Sequence, residues 1–234
     1  MSATTTPAAR RRIRVLVVDD HPALRAGLEG LLCSEPAVEC VGALAGTEGL
    51  LSAVRDLRPN VVVLDYALGT DDGLTTCFRL KQQPHPPAVV LYSACVDGVF
   101  AIPTAIAQAD AAVSKSAPID ELLAAVQAAA AGTQPRPALD PELIQAASAR
   151  LLTEDLPVAT MLLGAIPVAD IADILGTTTA DIRNRALRII GRLQATRTSD
   201  RSELETTVDF ALGAPGATRL GRRSGVSPAS LTDA

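Results

Sequence analysis

The sequence predicts an α/β protein: a doubly wound parallel sheet of five strands followed by a small all-α domain. Three observations carry this. Between residues 13 and 131, short β-branched runs alternate five times with amphipathic helical stretches. One run, Val61–Leu64, is apolar at every position, as a central parallel strand covered on both faces must be. Beyond a Pro-rich segment, Gly132–Ala138, only helical periodicity remains.

The elements follow in order. Ile13–Val18 is a β-branched strand ending at Asp19-Asp20. His21-Pro22 opens a helix with Leu24, Leu28, Leu31 and Leu32 at helical spacing, and proline suits a first helical turn. Val38–Val41 is a short strand, and Thr47–Leu57 a helix turning Leu50, Leu51 and Val54 inward. The central strand ends at Asp65, and Leu74–Leu80 is helical. Ala88–Leu91 is the fourth strand, leading to Tyr92-Ser93. Val99–Ala107 reads as a helix with Pro103 as a defect or late start, Ala111–Ser114 as the fifth strand, and Pro118–Ala131 as a strong helix. Right-handed crossovers restrict such a chain to a doubly wound fold. Beyond the linker, Pro141–Leu152, Leu156–Leu163, Val168–Leu175 and Thr179–Ala195 read as four helices. The expected organisation is a flexible leader at 1–11, an α/β domain at 12–131, a linker at 132–138, a helical domain at 139–196 and a disordered tail at 197–234.

Composition narrows the function. Apolar residues make up 48% of the chain and mean hydropathy is +0.25, enough for a core. Aromatic residues are only 2%, which disfavours single-strand readers that stack bases on rings. The net charge of −5 excludes a chain basic all over, though not a local basic face. No apolar run approaches the roughly 18 residues of a membrane span. Cys33, Cys40, Cys77 and Cys95 show no metal-ligand spacing, so reduced thiols and a cytoplasmic location are expected.

The strand ends are the informative part. In a doubly wound sheet, the crevice lies at the C-terminal strand ends. Those ends carry Asp19 and Asp20, then Asp65, then Ser93, and lastly Lys115. Converging carboxylates repel unless a cation sits among them. Oxygen ligands with open positions suit Mg²⁺. A nearby hydroxyl and lysine can hold phosphoryl oxygens, and a carboxylate can take a phosphoryl group as an aspartyl phosphate.

The segments Val15-Leu-Val-Val-Asp-Asp-His-Pro22, Val62-Val-Leu-Asp65 with Gly73 eight residues on, Leu91-Tyr-Ser93 and Val113-Ser-Lys115 resemble a response-regulator receiver domain. The resemblance covers residues 12–131 and implies a flavodoxin-like fold. It implies that Asp65 is the phosphoacceptor. Asp20 and Asp65 would bind Mg²⁺, with Asp19 assisting and the Ala67 carbonyl as a further ligand. Ser93 and Lys115 would bind the phosphoryl group. His21 reads as a helix-start residue rather than a ligand. The sequence also departs from the family. Leu68 and Gly69 stand where Met-Pro is usual, and Ala112 stands where an aromatic residue swings inward on phosphorylation. Together with Pro103, Ala112 predicts a weakened readout.

Ala169–Gly176, followed by Thr177–Arg183, resembles a helix-turn-helix of the NarL/LuxR type. Gly176 supplies the turn and Thr177–Thr179 offer hydroxyl caps. Ile182, Ala186, Ile189 and Leu193 form an apolar back, while Asn184, Arg185, Arg188 and Arg192 form a front with Arg183 beside it. The resemblance implies DNA contact by Thr178, Asp181, Arg183, Asn184, Arg185, Arg188 and Arg192. Arg185 is expected to read bases and Arg192 to touch phosphate. Against this, residues 139–197 carry six basic and seven acidic side chains, weak for a phosphate binder.

The resulting expectation is a cytoplasmic response regulator, not an enzyme. Its partners would be a sensor histidine kinase and double-stranded DNA, and it would act as a homodimer without a membrane. The rival expectation is an atypical regulator with weak phospho-coupling that works through protein partners.

Overall fold

The computed structural model describes residues 12–69, 71–94, 98–134 and 139–212. The leader at 1–11, linker residues 135–138 and tail residues 213–234 lie outside the described residues.

Five parallel strands form the sheet: β1 (Ile13–Val18), β2 (Val38–Leu44), β3 (Val61–Asp65), β6 (Ala88–Ser93) and β7 (Ala111–Ser114), in the order β2-β1-β3-β6-β7. Between β3 and the next helix lies a small antiparallel hairpin, β4 (Ala67–Leu68) with β5 (Asp71–Asp72). The sequence reading did not anticipate it, because two-residue strands carry no periodicity. Gly69 makes the reversal there, with φ of 58°.

Side chains alternate across the sheet as the pleat requires. Val15, Val17, Val61, Val63 and Val90 pack beneath α1 (Pro22–Ser34) and α5 (Ile119–Ala131), with Leu28, Leu32, Leu122 and Val126 inserted from above. Leu16, Val18, Val62, Leu64, Val89 and Leu91 face the other way, toward α2 (Leu50–Leu57), α3 (Gly73–Lys81) and α4 (Gly98–Ile106). The apolar residues of β3 are all buried, as the unbroken run at 61–64 required.

α4 runs straight through Pro103. Proline removes one backbone donor without ending the element, and the Pro103 carbonyl still accepts from the Ala107 N–H at 2.9 Å. α2 begins at Leu50 rather than Thr47, because Gly49 takes a left-handed conformation with φ of 71°.

Beyond residue 139 lie α6 (Pro141–Ser148), a 3-10 turn (Thr153–Asp155), α7 (Leu156–Leu163), α8 (Val168–Ile174) and α9 (Thr179–Leu212). Their apolar stripes include Val158, Leu162, Ile171, Ile182, Ile189 and Leu193, all buried. These belong to the same cluster as the α2–α4 side of the sheet, and the described residues up to Ala195 form one compact unit. The backbone of 197–212 continues α9, where the sequence reading expected a structureless tail. No glycine or proline interrupts residues 192–212, and Gly213 and Pro215 come only afterwards.

Candidate functional site

The parallel sheet brings the expected side chains together. Asp19 follows β1 and Asp65 closes β3, adjacent strands in register from Val15–Val61 to Val18–Leu64. Both are almost sealed from water, at 1% and 2% exposure. Two buried carboxylates need a cation. Lys115 supplies one across 96 and 50 residues of sequence, with Nζ donating to Asp19 Oδ2 at 2.9 Å and Asp65 Oδ2 at 2.7 Å. Its backbone N–H donates to the Ser93 carbonyl at 2.7 Å, which ties the lysine to the end of β6. Nζ also lies 5.9 Å from the centre of the Tyr92 ring.

The electrostatics follow from this burial. Desolvation raises the Asp65 carboxyl above its ordinary value, against the hydrogen bond and charge of Lys115, which lower it. For Lys115, burial pulls the ammonium down, but hydrogen bonds to Asp65 and Asp19 outweigh it and the result is raised. Burial also raises the Tyr92 hydroxyl.

Asp65 is held by its own loop. Its Oδ1 accepts from the Ala67 N–H at 3.2 Å. Gly73 donates its N–H to the Tyr66 carbonyl at 2.9 Å. A Cβ at Gly73 would lie 2.4 Å from the Asp65 carbonyl oxygen, so the backbone passes where no side chain fits. Asp72 caps α3 by accepting from the N–H groups of Leu74 and Thr75. Ser93 is buried at the end of the neighbouring strand.

Asp19, Asp20, His21 and Asp65 each offer a ligand atom, all within 4.8 Å of one another. Three carboxylates converging at one edge of the sheet fit a divalent cation. His21 was set aside by the sequence reading. The structure turns its Nδ1 toward the carboxylates, 2.7 Å from Asp20 Oδ1.

Further residues escaped the sequence reading. Tyr66 stacks edge-on against Phe100 of α4, with ring centres 5.1 Å apart. Gln194 of α9 donates through Nε2 to the Tyr66 hydroxyl at 3.2 Å and to Asp72 Oδ1 at 2.5 Å. A contact across 122 and 128 residues leaves no local sequence signal.

At the second candidate face, Gly176 makes the turn between α8 and α9 with φ of 61°. Thr178 and Asp181 close a reciprocal cap: Thr178 Oγ1 donates to Asp181 Oδ2 at 2.6 Å, and the Asp181 N–H donates back to Thr178 Oγ1 at 3.1 Å. That cap lowers the Asp181 carboxyl below its ordinary value. Arg188 is bidentate to Asp155, at 2.6 and 3.2 Å, and Asp155 is fully buried. The hydrogen bonds that Arg188 donates to Asp155 raise the guanidinium further. Arg185 donates to the Glu154 carbonyl at 3.2 Å. Arg183 and Asn184 are exposed, and Arg192 is half-buried with its carbonyl accepting from Arg150. The arginine stripe is thus only partly a free face.

A doubly wound sheet with buried aspartates and a lysine converging at its strand ends defines a signal-receiver fold. Residues 15–127 match the response regulator receiver domain family, which identifies that segment as a receiver domain. It is 29% identical over 196 residues to the response regulator GacA of Pseudomonas viridiflava, covering 77% of this chain and 89% of that one. It is 31% identical over 121 residues to the transcriptional regulatory protein LiaR of Bacillus subtilis, covering 51% of this chain and 57% of that protein. Among solved structures, a LuxR-family response regulator from Aurantimonas sp. SI85-9A1 superposes with a TM-score of 0.50 at 27% identity, covering 58% of this chain and 94% of that one. These relatives are regulators, not enzymes. Among the described residues, no helix is long and apolar enough to cross a membrane.

Proposed function

We propose that the chain regulates transcription, with phosphorylation of Asp65 by a sensor histidine kinase controlling how α8 and α9 engage double-stranded DNA. The observation that carries this reading is the pairing of buried Asp65 with Lys115 at 2.7 Å. A charge that costly to bury, already neutralised on one side, is placed to accept a phosphoryl group. Asp19, Asp20, Asp65 and the Ala67 carbonyl would hold Mg²⁺, which supplies charge neutralisation when bound. Lys115 would neutralise phosphoryl oxygens, and Ser93 would donate to them. Residues 12–131 form the receiver and 139–196 the output module in this reading. It acts in the cytoplasm as a homodimer.

A second reading has one observation in its favour. Arg188 is committed to Asp155, Arg185 to the Glu154 carbonyl, and Thr178 and Asp181 to each other. Of the seven expected DNA contacts, Arg183 and Asn184 stay exposed without such a partner among the bonds described. An output through a protein partner needs fewer free arginines.

One experiment separates them. The full chain is treated with acetyl phosphate and Mg²⁺, and its mobility is measured on upstream DNA. The first reading expects an acid-labile, base-labile phosphoryl group that Asp65→Asn abolishes, and a shifted complex that Arg183→Ala weakens. Labelling that survives Asp65→Asn refutes the acceptor assignment. Labelling without any DNA complex selects the partner-binding reading.

A further inference from the structure

We propose that the cleft between the α4–β7 edge of the sheet and helices α6–α8 binds a neutral, largely apolar small molecule that carries a carbonyl or hydroxyl group. Asp65 and Lys115 do not line this cleft. It gives the chain an input that does not depend on the phosphoryl chemistry proposed above.

The cleft measures about 1170 Å³, just above the roughly 300–1,000 Å³ usual for small-molecule sites. It lies within the compact unit that ends at Ala195. Side-chain choice keeps it open. Ala101 and Ala105, one turn apart on α4, form one wall, and Ala111 and Ala112 of the edge strand β7 continue it. Gly132 and Gly164 also line the space and add no side chain. None of these six residues has the bulk to reach across and fill it.

The helices supply an apolar wall: Ile144 of α6, Leu162 and Leu163 of α7, and Val168 of α8. Water held against such side chains has few groups to bond, and an apolar body that displaces it is favoured. Charge on the walls cancels. Among the described lining residues the charged ones are Lys81 and Asp110, joined at 2.9 Å. Asp110 Oδ2 also accepts from the Val89 N–H at 2.7 Å, which holds that carboxylate to the sheet. An ionic ligand would give up its hydration here without finding a free counter-charge, so the ligand is neutral.

Amides provide the polar recognition. Gln82 Nε2 donates to Gln108 Oε1 at 3.3 Å, which leaves the Gln108 amide N–H groups and Gln82 Oε1 to meet a carbonyl or hydroxyl. Gln108 holds its position at φ of 61°, and Ala165 of the helical wall takes φ of 56°. These are two of the three non-glycine residues with left-handed backbone among the described residues, and both line this cleft. Strain of this kind is retained chiefly where a site needs it.

Nile red, a neutral dye with a ring carbonyl, is titrated into the full chain and followed by its emission. One dye per chain is expected, with emission shifted to the blue. Ala105→Trp and Ala112→Phe fill the cleft from two different elements, and each should weaken binding about tenfold or more. Ile174→Ala removes a large apolar side chain that is 63% exposed and tests for surface binding; it should stay within about twofold. Asp65→Asn should bind as the parent does, which keeps this site separable from the phosphorylation reading. Alanine methyl spectra of the parent should shift at Ala101, Ala105 and Ala112 on adding the dye, and hold still at the buried Ala186 of α9. No binding by the parent overturns the proposal, as does equal binding by the folded Ala105→Trp and Ala112→Phe chains. Where a filled variant does not fold, methyl shifts that spare Ala101, Ala105 and Ala112 in the parent overturn it. The anionic dye anilinonaphthalene sulfonate should bind about tenfold or more weakly than Nile red, and equal affinity refutes the neutral class.

Discussion

Gly73→Ala sets helix propensity against the backbone around Asp65. Gly73 is the first residue of α3, and propensity alone credits alanine over glycine in a helix with up to roughly 1 kcal/mol. The structure predicts the opposite sign. An added Cβ would stand 2.4 Å from the Asp65 carbonyl oxygen, 2.7 Å from Tyr66 Cα and 2.8 Å from the Tyr66 carbonyl oxygen. All three are backbone atoms, so no rotamer change relieves them. Reaching ordinary contact requires the end of β3 and the start of α3 to part by about 1 Å. Overpacking of this kind costs about 1–3 kcal/mol. The 2.9 Å bond from the Gly73 N–H to the Tyr66 carbonyl stretches with it, for about 1 kcal/mol more. Against the propensity credit, the net loss is about 1–3 kcal/mol. For a chain of this size that lowers the melting midpoint by roughly 2–12 °C. Thermal unfolding followed by circular dichroism reads it, and acetyl-phosphate labelling reads the displaced Asp65. A midpoint equal to or above that of the parent would refute the close approach.

Two further outcomes follow from the charges. Asp65 is raised by burial, so the unfolded chain gives up this proton first as pH rises, and ionisation of Asp65 subtracts stability between the ordinary carboxylate value and the raised native one. Asp65→Asn should therefore gain on the parent as pH climbs through that window and hold its advantage above it, and denaturant titrations in which the gap closes with rising pH contradict this. Arg188→Ala strands the buried Asp155, at about 2 kcal/mol rather than the roughly 3–5 of a fully buried pair, because the guanidinium side chain is 42% exposed. Asp155→Asn in the same chain should recover part of the loss, and unchanged unfolding in Arg188→Ala would return that arginine to the DNA-facing set.

The sheet was legible because its physics is local. A strand covered on both faces must be apolar throughout, and Val61–Leu64 has no polar position to explain otherwise. The ends of such strands meet by topology, so Asp19, Asp65 and Lys115 could be brought together without knowing a single contact. What the sequence hid depends on direction or distance. The inward turn of His21 is a matter of one side-chain torsion beside a known aspartate pair. Asp155 was only one of the seven acids counted over residues 139–197, yet it is fully buried and claims Arg188. Spacing placed Arg185, Arg188 and Arg192 on one stripe of α9, but spacing says nothing of what an adjacent turn offers that stripe. The capping pair Thr178 and Asp181 had a readable signature, a hydroxyl residue with an acid three residues on.

Ala112 led to the expectation of a weakened readout, because the residue that usually moves there is missing. The structure supplies a different connection between Asp65 and α9. Tyr66 follows Asp65 directly in the chain, and its backbone N–H donates to the Tyr92 carbonyl at 3.3 Å on the neighbouring strand. Its ring meets Phe100 of α4, and its hydroxyl accepts from Gln194. Gln194 also reaches Asp72, the residue that caps α3 beside Gly73. A shift at Asp65 large enough to disturb its own peptide therefore displaces a ring touching α4 and a hydroxyl bonded to α9, with no aromatic at 112 required. Hydrogen bonds of this type contribute about 1 kcal/mol each, within the 1–3 kcal/mol over which coupling between sites usually falls. Ala112 thus leaves no ring at that position, while the contacts of Tyr66 join the end of β3 to α4 and α9.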